Sequence, residues 1–197
     1  MRRPSDHRDG TPAERVPDEL VERCKNGDER AWSQLVEATY RDVYTLCLRI
    51  LTDPNDAAEA TQDAYLKAWR GLGSFRGDAL FETWLYRVAS NSALSKYRSR
   101  KRRQSRESGL QDDVLTEIPA SGSVEATAGA RIEVQALEAA LARLPEQHRT
   151  VIVLRDVYGM SIEEVADKLG ISETAAKVRV HRARKRLKDM LFQGEDR

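Results

Sequence analysis

Between residues 177 and 188 the chain carries seven Lys or Arg and no acid, interrupted only by Val178, Val180, His181, Ala183 and Leu187. A solvated helix surface normally mixes signs, so a single-sign run suits the neutralisation of phosphates. A second run, 96–106, holds seven more bases without an acid. It continues a segment in which Arg87, Asn91 and Arg98 fall at i, i+4 and i+11, close to Phe75, Phe81 and Trp84. Aromatic rings on which bases stack, an amide that can read a base edge and a dense basic run are the ingredients for gripping single-stranded nucleic acid. The opposite charge appears at Asp56, Glu59 and Asp63, spaced i, i+3 and i+7. Such a ridge either stabilises the first turns of its own helix or docks a basic protein partner. Bond-making chemistry has no comparable support. His7, His148 and His181 stand far apart, Cys24 and Cys47 have no CxxC spacing, and no Walker loop, dinucleotide fingerprint or nucleophile elbow occurs. The residues point to binding, with no metal and no cofactor.

The elements that would position these groups can be read from periodicity. Ser161 with Glu164 is a capping-box signature, and Ile162, Val165, Ala166 and Leu169 follow at helical spacing until Gly170. Ser172 restarts the pattern as an N-cap. Ala176, Val180, Ala183 and Leu187 then make one apolar stripe, leaving Lys177, His181, Arg184, Lys185 and Lys188 on the opposite face. A helix, a tight turn and a basic second helix predict a helix-turn-helix for duplex DNA, with a bland helical hairpin as the alternative. Residues 131–144, with Val134, Leu137, Leu141 and Leu144 in register, and the segment from Pro145 through Val151, Leu154 and Val157 supply two helices before it.

In the N-terminal half, helices are expected from Pro17 to the Asn26-Gly27-Asp28 turn and through Ala31, Leu35, Ala38, Val43, Leu46, Ile50 and Leu51. Thr52-Asp53-Pro54 ends the second. The acidic helix 53–72 is expected to bury Ala58, Tyr65, Trp69 and Leu72. A glycine-rich loop, 71–78, leads to a helix over 79–103 with Trp84, Leu85 and Val88 in the core; this helix is expected to dissolve in the basic run.

The composition agrees with an all-α chain of two small helical domains. Charged residues make up 33% and aromatics only 6%, and the net charge of +1 conceals strong segregation, since 107–130 contains only acids. Residues 1–17 read as a disordered leader, 18–104 as one domain, 105–130 as a flexible acidic linker and 131–193 as the second domain. No apolar run approaches the ~20 residues of a membrane span, and the N-terminus is no signal peptide, so a soluble cytoplasmic protein is expected.

Residues 56–103, from DAAEATQDAYLKAWRGLGSFRGDALFETWLYRVASNSA into the basic run, followed after a linker by LPEQHRTVIVLRDVYGMSIEEVADKLGISETAAKVRVHRARKRL over 144–187, resemble an extracytoplasmic-function (group 4) sigma factor of the sigma-70 family. The resemblance covers about 18–191. It implies a region 2 domain that binds core RNA polymerase and melts the promoter, and a region 4 domain that recognises duplex DNA. Asp56, Glu59, Gln62 and Asp63 correspond to the surface that docks on the clamp helices of the largest polymerase subunit. Phe75, Arg76, Phe81 and Asn91 correspond to the part that captures a flipped base of the minus-ten element, with Arg87, Lys96 and Arg98 on the backbone. Arg155, Ser172, Lys177, Val178, His181, Arg182, Arg184 and Lys185 fall at the minus-thirty-five reading surface; an aromatic is frequent in the family where His181 stands. The implied partners are core polymerase, at its clamp helices and flap, promoter DNA in duplex and single-stranded form, and an anti-sigma factor of the kind that holds many relatives inactive, often at the membrane. Without the resemblance, two other classes fit the pattern: an operator-binding dimeric regulator, which needs no acidic docking ridge, and a small nucleic-acid enzyme, which needs a metal site or acid pair.

Overall fold

The computed structural model describes residues 15–108 and 128–192. Four helices form the N-terminal domain: α1 (Asp18–Lys25), α2 (Glu29–Leu51), α3 (Pro54–Gly71) and α4 (Phe81–Ser108). Asp28 caps α2 by accepting from the Ala31 N–H, and Asp53 caps α3 by accepting from Asp56 N–H, with Pro54 at the first helical position, where its missing donor costs nothing. Between them Thr52 takes the left-handed conformation at φ 65°, so the chain reverses within two residues. α2, α3 and α4 then pack against one another around Leu35, Leu46, Ile50, Leu85 and Leu94, all fully buried.

The packing departs from the periodicity at several positions. Val16, read as leader, is buried and its N–H donates to the Glu82 carboxylate, which ties the start of the domain to α4. Ala38 is exposed, and Thr39 takes the inward position, its hydroxyl 2.8 Å from that of Tyr65. On α3 the buried stripe is Ala57, Ala60, Thr61, Ala64, Tyr65, Ala68 and Leu72; Ala58 and Trp69 face outward. The alanines let α3 approach its neighbours closely, so the small residues go inside. Trp69 lies at the rim against Trp32, ring centroids 5.0 Å apart. α4 does not dissolve in the basic run. It continues to Ser108, because Arg and Lys are good helix formers and no breaker occurs before Gly109.

The C-terminal domain comprises α5 (Ala128–Arg143), α6 (Glu146–Ile152), α7 (Ile162–Leu169) and α8 (Glu173–Phe192). α6 widens into a single π-helical turn, Val153–Val157, which buries Val153 and Leu154 beside Val151 and Ile152 but leaves Val157 exposed. Among the described side chains of α5, Ala140 and Leu141 are buried, as is Leu144 just beyond it, whereas Val134 and Leu137 are 39% exposed. The acidic segment 109–127 and residues 1–14 lie outside the described residues.

The two domains touch where α2 meets α6 and its π turn and where α4 meets α7. Tyr86 and Tyr158 stack edge to face there, centroids 5.1 Å apart.

Candidate nucleic-acid interface

The helix-turn-helix forms as its sequence dictates. Ser161 and Glu164 complete the capping box in both directions, with Glu164 N–H donating to Ser161 Oγ at 3.0 Å and Ser161 N–H to Glu164 at 2.8 Å. Gly170 closes α7 at φ 65°, a conformation that any Cβ would strain. Ser172 Oγ accepts from Ala175 N–H at 3.2 Å and so starts α8. Ala176, Val180 and Ala183 are buried, which turns Lys177, Val178, His181, Arg182 and Lys185 to solvent on one continuous surface.

Two of the expected readers are engaged elsewhere. Arg155 donates to the Met160 carbonyl at 2.6 Å and so braces the turn into α7. Arg184 forms a two-pronged pair with Asp156, at 2.5 and 2.9 Å, and this hydrogen-bonded carboxylate holds its guanidinium above the usual range. Meanwhile a groove at the N-terminal end of α8 adds residues that periodicity did not single out: Gln147 and His148 from α6, with Thr174 and Arg179, line it beside Ser172, Val178 and Arg182. No local pattern could have found Gln147 or His148, since they belong to a different helix.

On the N-terminal domain, Phe75 is half-buried at the end of the glycine loop, and Gly77 turns the chain at φ 81° before α4. Its ring meets Phe81 edge to face at 5.7 Å, Trp84 at 5.4 Å, and the Lys25 ammonium at 5.3 Å. Phe81 is buried, so its ring supports Phe75 from beneath and cannot itself be stacked upon. Trp84, expected in the core, is half-buried and shares that cluster. Trp84, Arg87 and Asn91 follow at i, i+3 and i+7, which places Asn91 about 10 Å along the same helix face from the rings. Arg76, Arg87, Asn91 and Arg98 are exposed.

The acidic ridge lies against the basic run. Lys96 pairs with Glu59 and with Asp56, the latter at 3.4 Å, and the Glu59 hydrogen bond raises the lysine above its usual pKa. Arg100 reaches Asp56 at 3.4 Å and donates to the Leu51 carbonyl at 3.0 Å. Gln62 and Asp63 remain exposed one turn further on. Thus residues assigned to a protein partner and residues assigned to DNA share ion pairs, a juxtaposition made by α3 packing on α4. Among the described residues no three His, Cys, Asp or Glu side chains form a metal-binding group, and no helix is long and apolar enough to cross a membrane.

Residues 35–103 match the sigma-70 region 2 family and 134–187 match sigma-70 region 4. The RNA polymerase sigma-H factor of Pseudomonas aeruginosa is 34% identical over 171 residues, spanning 84% of this chain and 89% of that protein. The ECF RNA polymerase sigma factor SigM of Mycobacterium tuberculosis is 35% identical over 90% of this chain and 86% of its own length. The chain belongs to the ECF sigma factors of the sigma-70 family. Its function is promoter-specific initiation of transcription with RNA polymerase. Among solved structures, the sigma factor resembles CnrH in its complex with the cytosolic domain of CnrY, at 27% identity and TM-score 0.52, over 89% of this chain and 96% of that one. It also resembles RpoE of Bartonella quintana bound to the anti-sigma factor NepR, at 26% identity and TM-score 0.55, over 81% and 95%. The matched segments lie on the two helical domains described above, with α3 and α4 in region 2 and the helix-turn-helix in region 4.

Proposed function

We propose that this sigma factor divides its work between three surfaces. Asp56, Glu59, Gln62 and Asp63 on α3 dock on the clamp helices of core polymerase. Phe75 and Asn91 trap an unstacked base of the minus-ten element, with Arg76, Arg87, Lys96 and Arg98 along the strand. Ser172, Lys177, Val178, His181, Arg182 and Lys185 meet the minus-thirty-five duplex, where Arg184 braces the recognition helix through Asp156 and Arg155 braces the turn into α7. Contact with the polymerase flap falls to the same region 4 domain. The factor acts in the cytoplasm, at the nucleoid, and an anti-sigma protein of the kind bound to the solved relatives would restrain it, at the membrane where that protein is anchored there. It makes and breaks no bond; polymerase performs the chemistry.

The observation that carries this reading is the cluster of Phe75, Phe81 and Trp84. A half-buried aromatic packed against two further rings and followed along one helix face by an exposed amide is suited to a single base, because stacking and edge hydrogen bonds together offset the few kcal/mol of flipping. The operator-binding regulator needs none of this. The test is co-elution of the purified protein with bacterial core polymerase, then transcription from a genomic promoter library. Initiation at a discrete promoter set is expected, with Asp63→Arg weakening association and leaving duplex binding by region 4 unchanged. Tight duplex binding without polymerase association would instead establish the stand-alone regulator.

A further inference from the structure

The groove at the N-terminal end of α8 is lined by bases and by no acid. Arg179 and Arg182 enter it from α8, opposite Gln147 and His148 of α6, and Arg186 follows one turn on with its Nη1 3.5 Å from His148 Nδ1. Among the described residues neither Arg179 nor Arg182 has a hydrogen bond or an ion pair, although Arg179 is half-buried. Arginine is seldom drawn into a protein surface without a partner. The neighbouring carboxylates are already taken: Glu173 by Lys177 at 3.5 Å, Asp156 by Arg184 at 2.5 Å and Glu146 by Arg100 at 2.6 Å.

The position of this charge says what it faces. Val178 and Arg182 belong both to the groove and to the surface that carries Lys177, His181 and Lys185. A helix turns about 100° per residue, which sets Arg179, Arg182 and Arg186 roughly a quarter turn round from Lys177, His181 and Lys185. In a major groove about 12 Å wide, a helix that turns one face to the base edges meets the sugar-phosphate wall a quarter turn away. The volume of about 460 Å³ would also admit a small molecule, but the only apolar side chains in the lining are Ala175 and Val178, and small-molecule pockets are mostly apolar. A charged backbone crossing the groove fits the lining better.

We propose that this groove seats backbone phosphates at one edge of the minus-thirty-five element, held by the guanidinium groups of Arg179, Arg182 and Arg186. This deepens the region 4 reading given above and rests on it. Gln147 and Thr174, both exposed, donate from the two walls. His148 is a positioning residue. A guanidinium has no acceptor, so His148 Nδ1 receives from Arg186 while the ring carries its proton on Nε2, and this holds Arg186 toward the groove. The contact adds affinity and fixes the register of the duplex without reading a base, because every phosphate is alike. The footprint on DNA therefore extends from the recognition helix to α6.

The test uses holoenzyme reconstituted from the full chain and core polymerase, bound to a promoter recovered from the library. Wild type, Arg179→Gln/Arg186→Gln, His148→Ala and a control outside the groove, Arg143→Gln, are compared for affinity across salt and for interference by ethylation of single phosphates. Arg182 stays in place because it also belongs to the reading face. Each phosphate contact contributes about 0.9 to the slope of log affinity on log salt, so the double variant should flatten the slope by about 1.8, which is about 3.5-fold in affinity for each doubling of salt. Ethylation at a run of phosphates beside the minus-thirty-five element should weaken binding by wild type and leave the double variant unaffected. His148→Ala should show the same interference in weaker form, and the control should match wild type. Discrimination between the intact and a mutated minus-thirty-five element should be equal in all four. An unchanged slope and interference pattern in the double variant, an equal change in the control, or lost discrimination overturns the proposal. Lys177→Ala and His181→Ala test the underlying reading separately. Wild-type affinity in both removes region 4 from the duplex, whereas losses there beside an unchanged double variant remove the groove alone.

Discussion

On the role proposed for Asn91, Asn91→Ala is expected to separate promoter melting from every earlier step. The side chain is exposed on α4, and its amide oxygen accepts from Lys168 of the other domain. Removing it creates no cavity, and alanine is the better helix former by up to ~0.7 kcal/mol, so thermal stability is expected to hold or rise slightly. The loss falls on the trapped base, whose edge is left without its partner at a cost of about 1–3 kcal/mol. That corresponds to roughly 5- to 150-fold in the equilibrium for capturing an unpaired base. The contact with Lys168 disappears as well, while α3, which carries the proposed docking residues, is untouched. The assay is a reconstituted holoenzyme on a promoter carrying a fluorescent base analogue in the start region, with polymerase affinity measured on the same preparations. Slower or less complete unpairing at unchanged affinity is the expected outcome. A fall in polymerase affinity, or unpairing at the wild-type rate, would refute the assignment of Asn91 to the strand.

Three further outcomes are expected. Tyr65→Phe removes a buried hydroxyl paired with Thr39, whose own donation to the Leu35 carbonyl survives, so denaturant unfolding should register a loss of about 1 kcal/mol with the fold retained. Gly170→Ala forces a Cβ into left-handed backbone between α7 and α8 and should cost about 1–2 kcal/mol, weakening duplex binding while polymerase docking through α3 persists. Burial raises the Glu164 carboxyl, but the Ser161 N–H donating to it and the Arg87 charge outweigh this and hold it below its ordinary value. Its stabilising contribution is therefore present above the unfolded value and lost as pH falls through the folded one; urea melts and scattering on descending through the carboxylate range should show α7 loosening in wild type and little added change in Glu164→Gln.

The region 4 surface was legible because its signals are local. Ser161, Glu164, Gly170 and Ser172 fix the ends of two helices through hydrogen bonds spanning three or four residues, and the stripe of Ala176, Val180 and Ala183 then decides which face the bases occupy. Arg155 and Arg184 look like readers in sequence because nothing near them in the chain shows that Met160 and Asp156 take up their donors. On α3 Tyr65 and Leu72 are buried as their spacing predicts, and two other positions differ. Trp69 and Ala58 read as buried by hydrophobicity, yet the packing distance to α2 and α4 selects alanine for the inside and leaves the tryptophan at the rim.

From the sequence alone came the all-α class, the two domains, the basic recognition helix and the family, because capping, periodicity and charge runs act over a few residues and survive in the unfolded chain. Tertiary structure decided which partner each charge meets within the chain. Whether Lys96 faces a strand or Glu59, whether Arg87 faces a phosphate or Glu164, and whether Phe81 is a platform or its support depend on contacts between residues 6 to 77 positions apart. Such contacts arise only when helices pack, since a Coulombic or hydrogen-bonding partner is chosen by distance in space, and a pattern along one helix carries no record of the neighbour that will face it.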